Sequence, residues 1–189
     1  MRSLLFVPAD SERKLDRARQ SGADALILDL EDSVVPANRA AARSQARAFL
    51  NSTGSAGFRR YVRINPLASG LVLDDLVSVV PERPDGVLLP KCLPEDVRTL
   101  DHYLSALEAA SGLARGAIWV IAIATETPAA MLALANHAHG AYVGVSARLD
   151  AVFSVSAKDR PQRRALSRNR SASRAKKLTP IVRASSLKS

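Results

Sequence analysis

An α/β fold built on a parallel sheet is predicted by three features of the sequence. Continuously apolar stretches of strand length recur, with helix-patterned stretches between them, and strands of that kind need cover on both faces. Polar residues stand at the C-terminal end of nearly every apolar stretch, and in a parallel barrel those ends open on one face. No Gly-x-Gly-x-x-Gly or phosphate loop marks a nucleotide site of the open-sheet kind, so a (β/α)8 TIM-barrel type is favoured. At about 25 residues per unit the 189 residues hold six βα units, whereas a closed barrel takes eight in ~250 residues. The expectation is an incomplete barrel over residues 1–159, followed by a divergent basic tail over 160–189 that is partly disordered or a remnant barrel segment.

The elements follow in order. Residues 2–8 form an apolar strand, and Asp10 or Ser11 can cap a helix that Gly22 stops. A strand over 24–30 precedes a helix over 36–50 with Pro36 at its first position. Tyr61 to Asn65 is a strand closed by Pro66, and a shorter helix lies near 71–80. Gly86 to Lys91 is the next strand, and Pro94 opens a helix ending before Gly112. Ala117 to Ile123 is the most apolar strand, Pro128 to Asn136 is helical, and Ala151 to Ser156 is a weaker sixth strand.

The stretch Leu26-Ile27-Leu28-Asp29-Leu30-Glu31-Asp32 organises the chain. Burying its apolar part forces three carboxylates to one rim of the sheet. They repel one another unless a cation, an arginine or a reacting proton offsets the repulsion. Further along, Arg63 and Asn65, Lys91, Glu126 and Asp159 stand at later strand ends, so residues scattered in sequence converge. A blander reading exists for each. Arg63 can serve as a salt-bridge partner of the acidic cluster, Glu126 as a helix cap, Asp159 as a solvated tail residue and Asp29 as a structural group.

Composition narrows the class. No apolar run approaches the ~20 residues of a membrane span, so a soluble protein is expected, and Met1 to Pro8 reads as a strand, not a signal peptide. Cys92 is the single cysteine, which leaves no disulfide framework or Cys-based zinc site within the chain and fits a reducing cytoplasm. The net charge of +9 is unevenly placed: residues 141–189 carry 12 Lys or Arg against Asp150 and Asp159, while residues 1–140 carry 15 basic and 16 acidic groups. The body is neutral and the tail is basic.

Five motifs in order carry a family resemblance. Arg2 to Ala9, Leu28 to Val34, Val62-Arg63-Ile64-Asn65-Pro66, Leu89-Pro90-Lys91 and Ala124-Thr125-Glu126-Thr127 resemble the citrate lyase beta-chain family of CoA-ester lyases, within the wider HpcH/HpaI aldolase group. The resemblance implies a TIM barrel that binds Mg2+ and makes or breaks a carbon–carbon bond beside a carbonyl, in a malyl-, citramalyl- or citryl-CoA-like thioester. It implies that Arg63 binds the substrate carboxylate and that Glu126 ligates the metal and touches the substrate. It also makes Asp159 the second metal carboxylate, with Lys158 and Arg160 standing where the family has an acid and a leucine. Arg168-Asn169-Arg170 and Leu178-Thr179-Pro180 resemble the family again, after which members continue through further barrel units. Homo-oligomers, often trimers, are implied as well.

The chemistry can be argued from the residues. Cleaving a β-hydroxy acyl thioester requires a base for the hydroxyl proton, a positive centre for the 2-oxo acid that forms, and stabilisation of the thioester enolate. Mg2+ prefers hard oxygens such as those of Glu126 and Asp159, and arginine's planar fork grips a carboxylate. Either Glu31 or Asp32 can supply the base, since crowding raises one carboxyl toward the useful range. The metal-carboxylate set makes a Lys91 Schiff base unnecessary, Cys92 has no evident catalytic partner, and His102, His137 and His139 read as helix or surface residues. Two competing readings stand beside the lyase: a shortened, catalytically weak family member acting as a 2-oxo acid, metal or assembly protein, and a nucleic-acid binder working through its basic tail. The tail has no aromatic between residues 158 and 177, which disfavours the latter.

Overall fold

How fully the strands are buried dictates how they pair. In the computed structural model, which describes residues 3–54, 57–133, 149–154 and 179–182, every residue of β2 (Ala25–Asp29) and of β4 (Gly86–Leu89) is buried. A strand with no wet face must sit between two covered layers. It does so here in a sheet whose order follows the chain: β1 (Leu4–Pro8), β2, β3 (Arg59–Arg63), β4, β5 (Trp119–Ile123), β6 (Leu149–Ser154) and β7 (Thr179–Val182). Neighbours from β1 to β6 are parallel. The crossovers run through α1 (Glu12–Arg19), α2 (Arg39–Ser52), α3 (Val72–Val79), α4 (Pro94–Ala110) and α5 (Pro128–Leu132). Consecutive parallel strands with a helix after each form the wall of a TIM-type barrel, and β1 and β7 are the ends of the described sheet.

Strand alternation splits the core in two. Leu26, Leu28, Val62, Val87, Leu89, Val120 and Ala122 pack with the helices in the larger cluster. Ala25, Ile27, Tyr61, Leu88, Ile121 and Ile123, joined by Leu4 and Phe6, form a smaller cluster on the opposite, inner face. Because the period is two, Asp29 and Arg63 continue this inner face one step beyond Ile27 and Tyr61, and the register pairs them directly.

Several expectations need correcting. Ser11 occupies the N-cap of α1 but makes no side-chain cap bond, and Asp10 instead accepts a hydrogen bond from Asn38 Nδ2 at 2.9 Å. Pro36 opens a 3₁₀ turn, Pro36–Asn38, and the α-helix begins at Arg39. The third strand ends at Arg63, two residues earlier than Pro66 suggested, because Asn65 turns to meet Asp75. The sixth strand begins at Leu149, two residues earlier than expected. Beyond these corrections, β7 falls within residues 160–189 and pairs antiparallel with β6. Its proline suits an edge position, where a missing N–H costs no ladder bond.

Tight inner packing makes one glycine necessary. A Cβ on Gly86 would lie 2.6 Å from Tyr61 Cε1 and 2.7 Å from the Trp119 carbonyl oxygen. Tyr61 is fully buried and the Trp119 oxygen is backbone, so neither can yield cheaply. Gly86→Ala is expected to destabilise the fold by ~1–3 kcal/mol, the usual cost of overpacking, as measured by urea denaturation.

Candidate active site

The parallel register carries polar groups from four adjacent strands to one rim. Asp29 ends β2, Glu31 and Asp32 lie just beyond it, Arg63 ends β3, Lys91 lies two residues past β4, and Glu126 lies three past β5. Three of them, Asp29, Glu31 and Arg63, are only 2% to 5% exposed.

Arg63 is the hub. Its Nε donates to Asp29 Oδ1 at 2.8 Å and its Nη2 to Oδ2 at 2.5 Å, a two-point grip that a planar guanidinium makes and an ammonium cannot. Its Nη1 faces Glu31 Oε2 at 3.1 Å and Asp32 Oδ2 at 3.7 Å, and its guanidinium carbon sits 5.1 Å from the centre of the Phe6 ring. Asp29 is equally occupied, since the Glu31 N–H donates to Oδ1 at 2.9 Å and the Ser33 hydroxyl to Oδ2 at 2.5 Å. Asp29 therefore orients Arg63 and the loop that carries Glu31. A second buried strut lies alongside. Asp75 accepts from the Asn65 N–H and Nδ2, both at 2.8 Å, and from Arg43 Nε at 2.7 Å, while Asn65 Nδ2 also reaches the Leu30 carbonyl at 3.1 Å.

Lys91 is the residue that sequence reasoning undervalued. Its Nζ bonds Glu31 Oε1 and also Asp32 Oδ1, the latter at 3.0 Å. Its backbone N–H donates to Glu126 Oε2 at 3.1 Å. Lys91 adopts φ 52°, left-handed for a residue with a side chain, a conformation that costs about 1–3 kcal/mol and persists where surroundings impose it. A Leu-Leu-Pro-Lys run at a strand end was the visible signal, but the backbone turn was not. Glu126 does not cap the following helix, because Thr127 Oγ1 takes that role by accepting from the Ala130 N–H at 3.1 Å.

Electrostatics separates the two candidate bases. Burial pushes the Glu31 carboxyl up, although the Lys91 hydrogen bond and the Arg63 charge pull the other way. Burial also acts to raise Asp32, yet the hydrogen bond from Lys91 and the charge of Arg63 outweigh it and hold that carboxyl low. Glu126 is raised by burial against the pull of Arg63. For Lys91, burial is outweighed by its bonds to Glu31 and Asp32, so its ammonium is held more firmly than usual, which opposes imine chemistry. The buried Cys92 thiol is pushed up to about 12, chiefly by burial, and is no nucleophile.

Whether these residues suit a divalent ion turns on charge and donor type. Four carboxylates, Asp29, Glu31, Asp32 and Glu126, surround two cations, Arg63 and Lys91. Glu31 Oε2 is buried without a hydrogen bond. Hard oxygens with an excess of negative charge suit Mg2+, which takes one or two carboxylates and keeps waters. Among the described residues no three His, Cys, Asp or Glu side chains are grouped to hold a metal. Asp159, His137 and His139 lie outside the described residues, as does the basic tail apart from the β7 backbone. His102 is exposed on α4. No helix of the described residues is long and apolar enough to cross a membrane.

Comparison with known proteins adds an independent line. Residues 2–159 match the family described as HpcH/HpaI aldolase/citrate lyase. A (3S)-malyl-CoA thioesterase of Cereibacter sphaeroides is 34% identical over 90 residues, 48% of this chain and 32% of that protein. Citrate lyase subunit beta of Haemophilus influenzae is 34% identical over 128 residues, 67% of this chain and 44% of that protein. The chain thus spans under half the length of these curated relatives. Among solved structures, Haloferax volcanii malate synthase as a lead(II) complex aligns with a TM-score of 0.69 at 19% identity, covering 80% of this chain and 49% of that one. Its magnesium/glyoxylate complex aligns at 0.63 and 19% identity, covering 71% and 45%. At that identity the likeness concerns the fold.

The buried pair and an exposed one should respond differently to truncation. Asp29→Ala removes the two-point grip on the buried Arg63, leaving it only the contacts of Nη1 with Glu31 and Asp32, and is expected to cost ~3–5 kcal/mol. Arg47→Ala breaks the Arg47–Glu82 pair, whose arginine is exposed, and should cost at most ~1 kcal/mol. Chemical denaturation of the two variants checks the contrast.

Proposed function

This chain belongs to the HpcH/HpaI aldolase/citrate lyase family, and on that premise we propose that it serves Mg2+-dependent carbon–carbon cleavage or formation on a β-hydroxy acyl-CoA thioester. Citryl-, malyl- and citramalyl-CoA are the substrate class, with a 2-oxo acid and acetyl-CoA as the products of cleavage. The observation that carries the reading is the meeting of Glu31, Asp32, Arg63 and Glu126 at one rim, from three separate parts of the chain. One relative named above is a (3S)-malyl-CoA thioesterase and another a citrate lyase subunit beta, which supports the reading.

Roles follow from the environments. Glu31, buried and raised, is the proton acceptor for the substrate hydroxyl, because a base whose affinity approaches the working pH both accepts and returns a proton. Asp32, held low, stays ionised beside it, and two carboxyls pushed apart in this way divide the acid–base work. As the hydroxyl proton leaves, the carbon–carbon bond breaks, a carbonyl forms on the 2-oxo acid and the electron pair passes to the thioester as an enolate, which is then protonated. Arg63 Nη1, the guanidinium nitrogen that Asp29 leaves free, is the point of contact for the substrate carboxylate. Glu126, with Asp159 as the partner implied by the family motif, would hold Mg2+, which supplies Lewis-acid polarisation of the forming carbonyl. The Lys91 N–H fixes the Glu126 carboxylate against β4. Homo-oligomeric assembly belongs to the same reading.

Calorimetry tests the site directly. Mg2+ with oxaloacetate or pyruvate should release heat in the parent protein and none in Glu126→Ala; silence in the parent would refute a metal–oxo acid site and favour the reading of a catalytically weak relative. A pH profile tests the base. The rate of thioester cleavage should fall on acidification through a group above the ordinary carboxylate value of 4.5, since a base works only when deprotonated. Glu31→Gln should lower kcat at least ~100-fold, the usual contribution of general base catalysis, and abolish that limb.

A further inference from the structure

The proposed chemistry leaves the Lys91 ammonium without a role, although it grips the carboxylate that serves as the base. Glu31 is 5% exposed, and its two oxygens stand in different surroundings. Oε1 accepts a hydrogen bond from Lys91 Nζ. Oε2 is buried without a hydrogen bond, and Arg63 Nη1 stands 3.1 Å away as a charge that makes no directed bond to it. An oxygen left in that state has room for a donor that the protein itself does not supply. Lys91 is in turn held at both ends. Its N–H donates to Glu126 Oε2 at 3.1 Å from a left-handed backbone, and its Nζ donates to Asp32 Oδ1 at 3.0 Å. The main chain of Glu31 is tied to Asp29 from the other side, at 2.9 Å.

We propose that Lys91 is the positioning residue of the base: its ammonium pins Oε1 of Glu31 and so presents Oε2, beside Arg63 Nη1, as the oxygen that takes the hydroxyl proton. The inference rests on the proposed function and deepens it. In malyl-, citramalyl- and citryl-CoA the hydroxyl and a carboxylate are carried on one carbon. A substrate whose carboxylate meets Arg63 Nη1 therefore brings its hydroxyl to the adjacent Oε2, and the proton transfers only while the Glu31 carboxyl keeps its orientation. Lys91 prevents its rotation. A lysine present for stability alone would change the amount of folded protein and leave the turnover of each folded molecule as it was.

Steady-state kinetics on malyl- or citramalyl-CoA with saturating Mg2+, at a temperature where each protein is folded, tests this in the parent, Lys91→Gln and Lys91→Arg. Lys91→Gln should lose about 10- to 100-fold in kcat, the cost of a misplaced reacting group, while KM stays within about threefold. Titration of Mg2+ with pyruvate into that variant should still release heat. Burial raises the Glu31 carboxyl and Asp32 adds to the rise, whereas the Lys91 hydrogen bond and the Arg63 charge hold it down, so loss of the lysine raises it further. The acidic limb of the rate should therefore move to higher pH, since a base works only when deprotonated. Lys91→Arg keeps the charge, so its limb should stay in place, but its planar fork does not reproduce a point donor on Oε1, and kcat should fall at least about threefold. Parent kcat in either variant overturns the proposal, as does an unmoved limb in Lys91→Gln, because the lysine would then not touch the working base. Loss of the heat of Mg2+ with pyruvate in Lys91→Gln also overturns it, since the lysine then only holds the site together. Should Lys91→Gln fail to fold, the kcat of Lys91→Arg decides by the same criterion. No turnover in the parent overturns the proposed function, and the inference with it.

Discussion

The bidentate pair between Arg63 and Asp29 is the constraint on which the site depends. Both residues continue the inner face of their strands, and the sheet register sets them side by side, so their meeting is a property of the backbone before it is one of the side chains. Burying two charges is costly, and the cost is recovered only when the geometry is good and the remaining polar atoms are satisfied. Here Asp29 receives four hydrogen bonds, two of them from Arg63. With that pair fixed, the Glu31 N–H is tied to Asp29 and the acidic loop can close over Arg63. Without it, Lys91 would still hold Glu31 and Asp32, but the loop would lose its tie to the end of β2.

Much of this was legible in the sequence, for a physical reason. Apolar runs such as Leu26-Ile27-Leu28 and Val120-Ile121-Ala122-Ile123 have one solution as buried parallel strands, and once strands are parallel their C-terminal residues must share a rim. Glu31, Arg63 and Glu126 could be nominated from that alone. What escaped was whatever depends on backbone conformation or on long-range pairing. Lys91 bonds to Glu31 across 60 residues by way of a left-handed turn that no local pattern announces. Thr127 displaces Glu126 as the helix cap because the turn after β5 rotates the threonine hydroxyl toward the Ala130 N–H. The four residues of β7 stand among Lys, Arg and Ser, where composition speaks for a tail. Their strand character comes from pairing with β6, which is a tertiary property.

The inner face also explains why the chemistry sits at one end. Between the exposed Arg59 at the start of β3 and the rim, the inner positions of β2 and β3 are apolar or aromatic, Ala25 and Ile27 on one strand and Tyr61 on the next, and the charged Asp29 and Arg63 follow at the C-terminal step. Tyr61 fills the middle so completely that Gly86 must lack a side chain beside it. The apolar layer is thus a floor that excludes water from beneath Arg63 and Asp29. A lower local dielectric strengthens their attraction and raises Glu31 above an ordinary carboxylate.

Charge balance carries one more step. Four carboxylates set against two cations make a rim that repels an anion, whereas a 2-oxo acid and a CoA thioester are both anionic. On the proposed reading, Arg63 is the group that meets the carboxylate, and Mg2+ held by Glu126 would add positive charge to the same rim. The way the arginine is held fits that role. Its Nε and Nη2 are committed to Asp29, and Nη1 is the nitrogen that faces Glu31 and Asp32 at the open side of the rim.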